Sequence, residues 1–323
     1  METEEEDTNG LSTRNINETI DDEQDINSRK IKDNNDNFDD SNYYDDNNFT
    51  DIKYITHGAY GDINSAYSKK DKIYLCLKHI NINQMREDYE KKGYTKSYEN
   101  DLNNEIKLLK IFSSFENSLK YYGSYDKKNE KIIVLEKCDE DLQLFMEKRN
   151  KSLEIEKIKE ILTKLNILFK EMHKRNIIHR DLKLKNFMVK YKNNKEDFVV
   201  KLGDYGIGKL LNIDNKVSGF KGSNETIAPE IILEKIESYE NSVDIFSLGV
   251  ILYQLSHNLR HPFDNNEAIM LSIYVNKFEE DNFKIEFDNS IKNKNFKDLL
   301  ERMLKLNPKN RLNWTQYFKH PFF

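Results

Sequence analysis

The chain has 323 residues, 33% of them charged and 37% apolar, with a formal net charge of −6; that length admits one two-lobed domain or two ordinary ones. Two cysteines, Cys76 and Cys138, argue against a disulfide framework and fit a reducing compartment. No apolar run approaches the ~18 residues of a membrane span, and no dense basic run points to nucleic acid.

The charge is uneven. Residues 1–47 hold 16 Asp and Glu against 4 Lys and Arg, a local −12 that leaves +6 for the rest. This stretch lacks apolar periodicity and has too little apolar surface to offset chain entropy, so an unstructured acidic tail is expected. An acidic start also opposes a secretory signal or a basic transit peptide. An intracellular chain, cytoplasmic or nuclear, is the expectation.

Ordered structure is expected from about Phe49. Ile52-Lys53-Tyr54-Ile55 alternates as a strand does, and Thr56-His57-Gly58-Ala59-Tyr60-Gly61-Asp62-Ile63 reads as a glycine-bearing turn between two strands. Tyr74-Leu75-Cys76-Leu77-Lys78 alternates again. Residues 83–100 are highly polar and read as an insertion. Apolar residues at 102, 106, 109 and 112 then predict a helix that carries Glu105. Leu119–Tyr125 and Lys131–Leu135 predict two more strands, which would close a five-stranded sheet.

From Leu153 the pattern turns helical. Ile155, Ile158, Ile161, Leu162, Leu165, Leu168, Phe169 and Met172 form one apolar stripe. Residues 242–253 predict an almost wholly apolar helix, on which Asp244 needs hydrogen-bond partners.

Residues 177–206 lie between these helices, and the rest of the chain is arranged around them. Two short apolar runs each deliver an acidic residue to one edge. Asp181 follows Ile177-Ile178-His179-Arg180, Asn186 comes five residues later, and Asp204 ends the run Phe198–Gly203. Gly206 frees the backbone behind it. Two carboxylates and a carboxamide on adjacent loops suit a hard Mg²⁺ ion that also holds phosphates.

These residues resemble the catalytic and metal loops of eukaryotic protein kinases, H-R-D-L-x-x-x-N followed by D-F-G, with Tyr205 for the usual Phe and Leu184 where many members carry Pro. Further landmarks are similar to the family in the same order. Residues 56–63 resemble the glycine-rich loop, with Thr56 at its first glycine. Residues 74–78 resemble V-A-I-K, and residues 132–138 the strand leading into the hinge. Gly222–Glu230 resembles the end of an activation segment, A-P-E, and residues 242–253 the central helix with Phe246 for its Trp. Arg311 would pair with Glu230.

The resemblance covers about residues 48–323 and implies an α+β, two-lobed fold. A small lobe over 48–137 would hold a five-stranded antiparallel sheet and one key helix. A larger, mainly helical lobe would cover 138–323. The implied activity is transfer of the γ-phosphate of ATP to Ser or Thr hydroxyls of protein substrates, with Mg²⁺ as cofactor. Asp181, Lys183, Lys78 and Glu105 would be the catalytic set, and Asn186 and Asp204 the metal ligands. Ile55, Gly58, Gly61, Ile63, Cys76, Lys78, Glu136, Cys138, Asp141 and Met188 would line the nucleotide site, with Leu135 at its back. Backbone groups of Glu136 to Cys138 would meet the adenine edge, and Asp141 the ribose.

Lys183 points to Ser/Thr rather than Tyr substrates, and Lys185 disfavours Arg-directed recognition. Arg180 implies control by phosphate on the activation segment, added by an upstream kinase or by the chain itself. Ser218 is the better candidate there and Thr226 the other. If Cys76 and Cys138 line the slot, ATP would shield both thiols from alkylation. The alternative is a pseudokinase, a nucleotide-binding or scaffolding module, favoured by Thr56 alone. A small-molecule kinase of similar core is disfavoured by the Lys183, A-P-E, Asp244 and Arg311 set.

Overall fold

In the computed structural model the chain is described over residues 44–91, 97–193, 195–205, 209–210, 225–233 and 242–323. All of these fall in the compact unit Asn42–Phe323. Residues 1–43 of the acidic stretch, residues 92–96 of the insertion, Gly206, Ser218 and Gly222–Asn224 lie outside the described residues.

Strands β1 (Phe49–Gly58), β2 (Gly61–Ser68) and β3 (Ile73–Asn81) are followed by helices α1 (Ile82–Lys91) and α2 (Tyr98–Phe112). Strands β4 (Tyr121–Lys127) and β5 (Glu130–Glu136) complete an antiparallel sheet of five strands in the order β1-β2-β3-β5-β4. Successive side chains of a strand point to opposite faces. On β5, Ile132 and Val134 join a small outer core with Leu75 and Leu77 of β3. Ile133 and Leu135 join the main core with Ile80 of β3 and Leu108, Leu109 and Phe112 of α2. The same alternation sends Lys78 toward α2.

One sequence expectation needs correction here, and two features of the fold had no counterpart in the sequence pattern. Residues 44–47, read as unstructured tail, are part of the fold. Tyr44 is fully buried, stacks on Phe49 at 5.5 Å and donates to Asp71 Oδ2 at 2.7 Å, because the outer core needs an aromatic lid. The polar insertion opens with a helix, α1, which buries Met85 and Tyr89. The alternating stretch of β1 is a strand, but Ile52, Tyr54 and Ile55 are all exposed. β1 is an edge strand with register shifts on both sides of Lys53–Tyr54, so its pleat buries neither face cleanly.

The second lobe begins with β6 (Glu140–Asp141) and α3 (Leu142–Arg149), whose first turn is capped by Asp141 Oδ1 accepting from Leu144 N at 2.8 Å. Next comes α4 (Ile155–Lys174), which buries every residue of the predicted stripe except the half-buried Ile155. It hands the chain to β7 (Ile177–Ile178), the catalytic-loop stretch, and the hairpin of β8 (Phe187–Tyr191) with β9 (Phe198–Leu202). β10 (Lys209–Leu210) pairs back on β7. Helices α5 (Pro229–Ile232), α6 (Ser242–Ser256), α7 (Glu267–Lys277), α8 (Lys294–Met303) and α9 (Trp314–Phe318) complete the lobe. Every residue of α6 is buried, as its all-round apolar sequence requires. Among the described residues no helix is long and apolar enough to cross a membrane.

Candidate active site

β3 and α2 bring the first pair together. Lys78 Nζ lies 2.6 Å from Glu105 Oε1 and 3.1 Å from Asp204 Oδ1, across a sequence separation of 126 residues. Burial alone would lower the Lys78 pKa. The Asp204 and Glu105 carboxylates more than offset it, so the ammonium stays charged. Lys78 in turn holds the Asp204 carboxyl below the usual range.

The loop between β7 and β8 is built on one carboxylate. Asp244, buried on α6, accepts from His179 N at 2.7 Å and Arg180 N at 2.8 Å. Arg180 has φ of 66°, a left-handed conformation that a non-glycine residue adopts only when held there. Burial pushes the Asp244 carboxyl up, and His179 and the two amides oppose the rise. His179 Nε2 donates to Gly203 O at 3.2 Å, joining the loop of Asp181 to that of Asp204.

Asp181 is buried. Lys183 Nζ sits 2.8 Å from its Oδ2, and Asn186 Nδ2 donates to its Oδ2 at 3.0 Å and its carbonyl at 2.7 Å. Asn186 O accepts from Gly203 N at 2.9 Å, so both loops share one backbone contact beside Asp204. Asp204 itself is at φ 54°, and its side chain is 48% exposed.

The glycine-bearing turn closes β1 on β2 at Gly58 and Gly61. A Cβ on Gly61 would lie 2.6 Å from His79 O, which requires glycine at that approach. Tyr60 at the tip is pinned. Its carbonyl accepts from Asn81 N at 2.7 Å and its hydroxyl donates to Asp88 of α1 at 3.0 Å. No sequence pattern signals this tie, because α1 buries only two of its ten residues.

Across the hinge, Cys76 pairs in register with Leu135, and Asp141 with Met188. Ile63 pairs with Lys78. Ile55 is exposed, while Cys76 and Cys138 are partly buried. The Glu136 side chain pairs with Lys190 and with Lys201, the latter at 3.1 Å. The Glu136 amide is committed to Lys120 O at 2.8 Å, and the Asp139 amide to Val189 O at 2.9 Å. Of the expected hinge donors, then, Glu136 N is already used.

Two ties hold the segment after residue 224. Thr226, weighed above as a phosphate acceptor, is buried and donates its hydroxyl to Leu182 O at 2.6 Å; its own carbonyl accepts from Ser247 Oγ at 2.7 Å. That role was not foreseen, and it sets Thr226 apart from a modifiable surface hydroxyl. Arg311 meets Glu230 in a two-pronged pair at 2.6 and 2.8 Å.

The protein kinase domain model matches residues 49–323. The chain belongs to the protein kinase family. Curated relatives of this kinase domain are named as serine/threonine kinases. It is 30% identical over 281 residues to the probable serine/threonine-protein kinase nek3 of Dictyostelium discoideum, covering 85% of this chain and 23% of that protein. It is 26% identical over 278 residues to Nek5 of Mus musculus, covering 85% and 40%. It is 28% identical over 277 residues to unc-51 of Caenorhabditis elegans, covering 83% and 30%. The chain thus spans less than half the length of these relatives.

Proposed function

We propose that the chain transfers the γ-phosphate of Mg-ATP to serine or threonine hydroxyls of protein substrates. The observation that carries this reading is Lys78, held charged between Glu105 at 2.6 Å and Asp204 at 3.1 Å. Phosphoryl transfer asks a protein for alignment and charge stabilisation more than for covalent chemistry. Lys78, aimed by Glu105, binds the α- and β-phosphates. Asp181 orients the substrate hydroxyl and accepts its proton, and Lys183 steadies the transferring group.

Mg²⁺ supplies neutralisation of the phosphate charge. Asp204 and Asn186 fit it, because a hard cation takes oxygen donors and shares them with phosphate and water. The Asn186 nitrogen is committed to Asp181, so its carboxamide oxygen is the donor. Ile55, Gly58, Gly61, Ile63, Cys76 and Met188 line the slot. Hinge donation falls to Lys137 and Cys138. One Asp141 oxygen caps α3, and the other serves the ribose. The buried Glu230–Arg311 pair and the Thr226–Leu182 tie support a protein substrate. Arg180 answers phosphate on the activation segment at Ser218, placed by an upstream kinase or by the chain itself.

The test is mass spectrometry of the full chain after incubation with Mg-ATP, beside Asp181→Asn. The expected result is phosphoserine or phosphothreonine in the wild type and about 10²–10⁴-fold less in the variant. ATP binding by thermal shift, with no phosphate on the chain or on a peptide library, would make it a pseudokinase.

A further inference from the structure

The metal loop has a support that no kinase motif names. Residues 116–119, between α2 and β4, run beside β9. Leu202 N donates to Asn117 O at 2.8 Å and Leu119 N to Leu202 O at 2.9 Å. The Asn117 side chain donates to Val200 O at 2.9 Å, and Lys201 Nζ to Glu116 O at 2.6 Å. Leu119 also backs Gly203, where a Cβ would lie 2.4 Å from Leu119 Cδ1. The backbone is therefore fixed up to Gly203.

Asp204 follows at φ 54°, in the left-handed region, where a non-glycine residue is held by its surroundings. The residue beyond is Tyr205, which is fully buried. Its ring stacks on Phe112 of α2 at 5.3 Å and lies 5.5 Å from His179. Phenylalanine would satisfy those ring contacts. The hydroxyl is the added feature, and a buried hydroxyl needs a partner. That partner is Ser118 Oγ at 2.9 Å, on a residue that is itself fully buried and bridged to Leu202. One short segment thus grips the strand before Asp204 and the side chain after it.

We infer that Ser118 is a positioning residue: through the Tyr205 hydroxyl it holds the Asp204 carboxylate toward Lys78, in the orientation that a Mg-bound nucleotide requires. The inference rests on the proposed kinase reading. If Asp204 turns away from Lys78, Tyr205 must leave its seat and lose Ser118. Ser118→Ala leaves the phenol buried without its partner and so depopulates the seated state. Adding Tyr205→Phe removes the orphaned hydroxyl and restores the seat, because deleting both partners costs far less than deleting one.

The experiment is calorimetric titration of the full chain with the non-hydrolysable ATP analogue AMP-PNP, with and without MgCl₂. The affinity ratio between the two conditions is read for wild type, Ser118→Ala, Tyr205→Phe and the double variant. Ser118→Ala should reduce the Mg²⁺-dependent tightening about tenfold, the expected order for one orphaned buried hydroxyl. Its Mg²⁺-free affinity should stay within about twofold of wild type, and the double variant should recover the tightening. A Ser118→Ala ratio equal to wild type, or a double variant as impaired as the single, overturns the inference alone. Should Ser118→Ala fail to fold, Tyr205→Phe alone decides: it strands the buried Ser118 hydroxyl in the seated state, so the ratio must fall, and an unchanged ratio refutes the role. A wild type whose affinity ignores Mg²⁺ overturns the kinase reading itself.

Discussion

Asp244 binds the backbone of His179 and Arg180 with its two oxygens, at 2.7 and 2.8 Å, and so fixes a left-handed residue next to Asp181. A side chain 64 residues downstream sets the conformation of the loop that carries Asp181.

Asp244→Asn keeps one acceptor oxygen and orphans one amide. Each buried amide left alone costs about 1–3 kcal/mol. The expected outcome is a urea midpoint lowered by that order and reduced phosphate transfer, since Arg180 is no longer held at positive φ. An unchanged midpoint together with unchanged transfer would show that the loop holds itself.

Arg311 and Glu230 have side chains with 0% and 1% exposure, and Arg311 also lies 4.8 Å over the Phe246 ring. Removing one partner strands a buried charge, so Arg311→Ala should cost about 3–5 kcal/mol, read from denaturant unfolding. Replacing both residues with apolar ones of similar volume should cost clearly less. Equal losses in the two cases would mean that packing, not the stranded charge, sets the penalty.

His261 gives the chain an acid sensitivity of known sign. Burial pushes its pKa down to about 4. Its Nε2 donates to Glu225 O at 3.1 Å, and its Nδ1 accepts from Phe263 N at 3.3 Å and Asp264 N at 3.4 Å, which a second ring proton would oppose. The unfolded ring titrates near ~6.5. Between the two values the unfolded chain binds a proton that the folded chain refuses, so stability falls as pH drops through that window. Burial lowers His173 and His257 as well, in the same sense. Urea midpoints at pH 7.5 and pH 5 should therefore differ, and His261→Gln should shrink the difference. The same slope in both proteins would discount His261.

The two thiols should be sluggish. Burial raises Cys76 to about 11 and Cys138 to about 12, the latter with help from Glu136. Only the thiolate alkylates. Iodoacetamide labelling at pH 7.5, followed by mass spectrometry, should run at least about a hundredfold slower than on an unperturbed cysteine of pKa ~8.5. It should accelerate as pH rises. Fast labelling of either residue at neutral pH would contradict this. Protection by Mg-ATP at elevated pH, where labelling is faster, tests whether both line the slot.

Much of the fold was legible because it is local. The stripe of α4, the apolar α6 and the alternation of β3 and β5 are periodicities written over neighbouring residues. The motif residues Asp181, Asn186 and Asp204 announce themselves by type and spacing. The tail boundary was misplaced because one aromatic, Tyr44, carries no period. The helix α1 went unseen because only Met85 and Tyr89 of its ten residues are buried. The exposure of β1 was not legible either, since alternation does not say which strand lies at an edge.

The sequence by itself determined the chemical groups and the order in which the chain presents them. Only the tertiary structure decided which groups meet: Lys78 with Asp204, Asp244 with Arg180, Thr226 with Leu182, Ser118 with Tyr205. Those pairs are separated by tens of residues, and no local pattern encodes them. They exist because burying the apolar faces of α2, β9 and α6 brings these groups together, and a polar group buried there without a partner is costly.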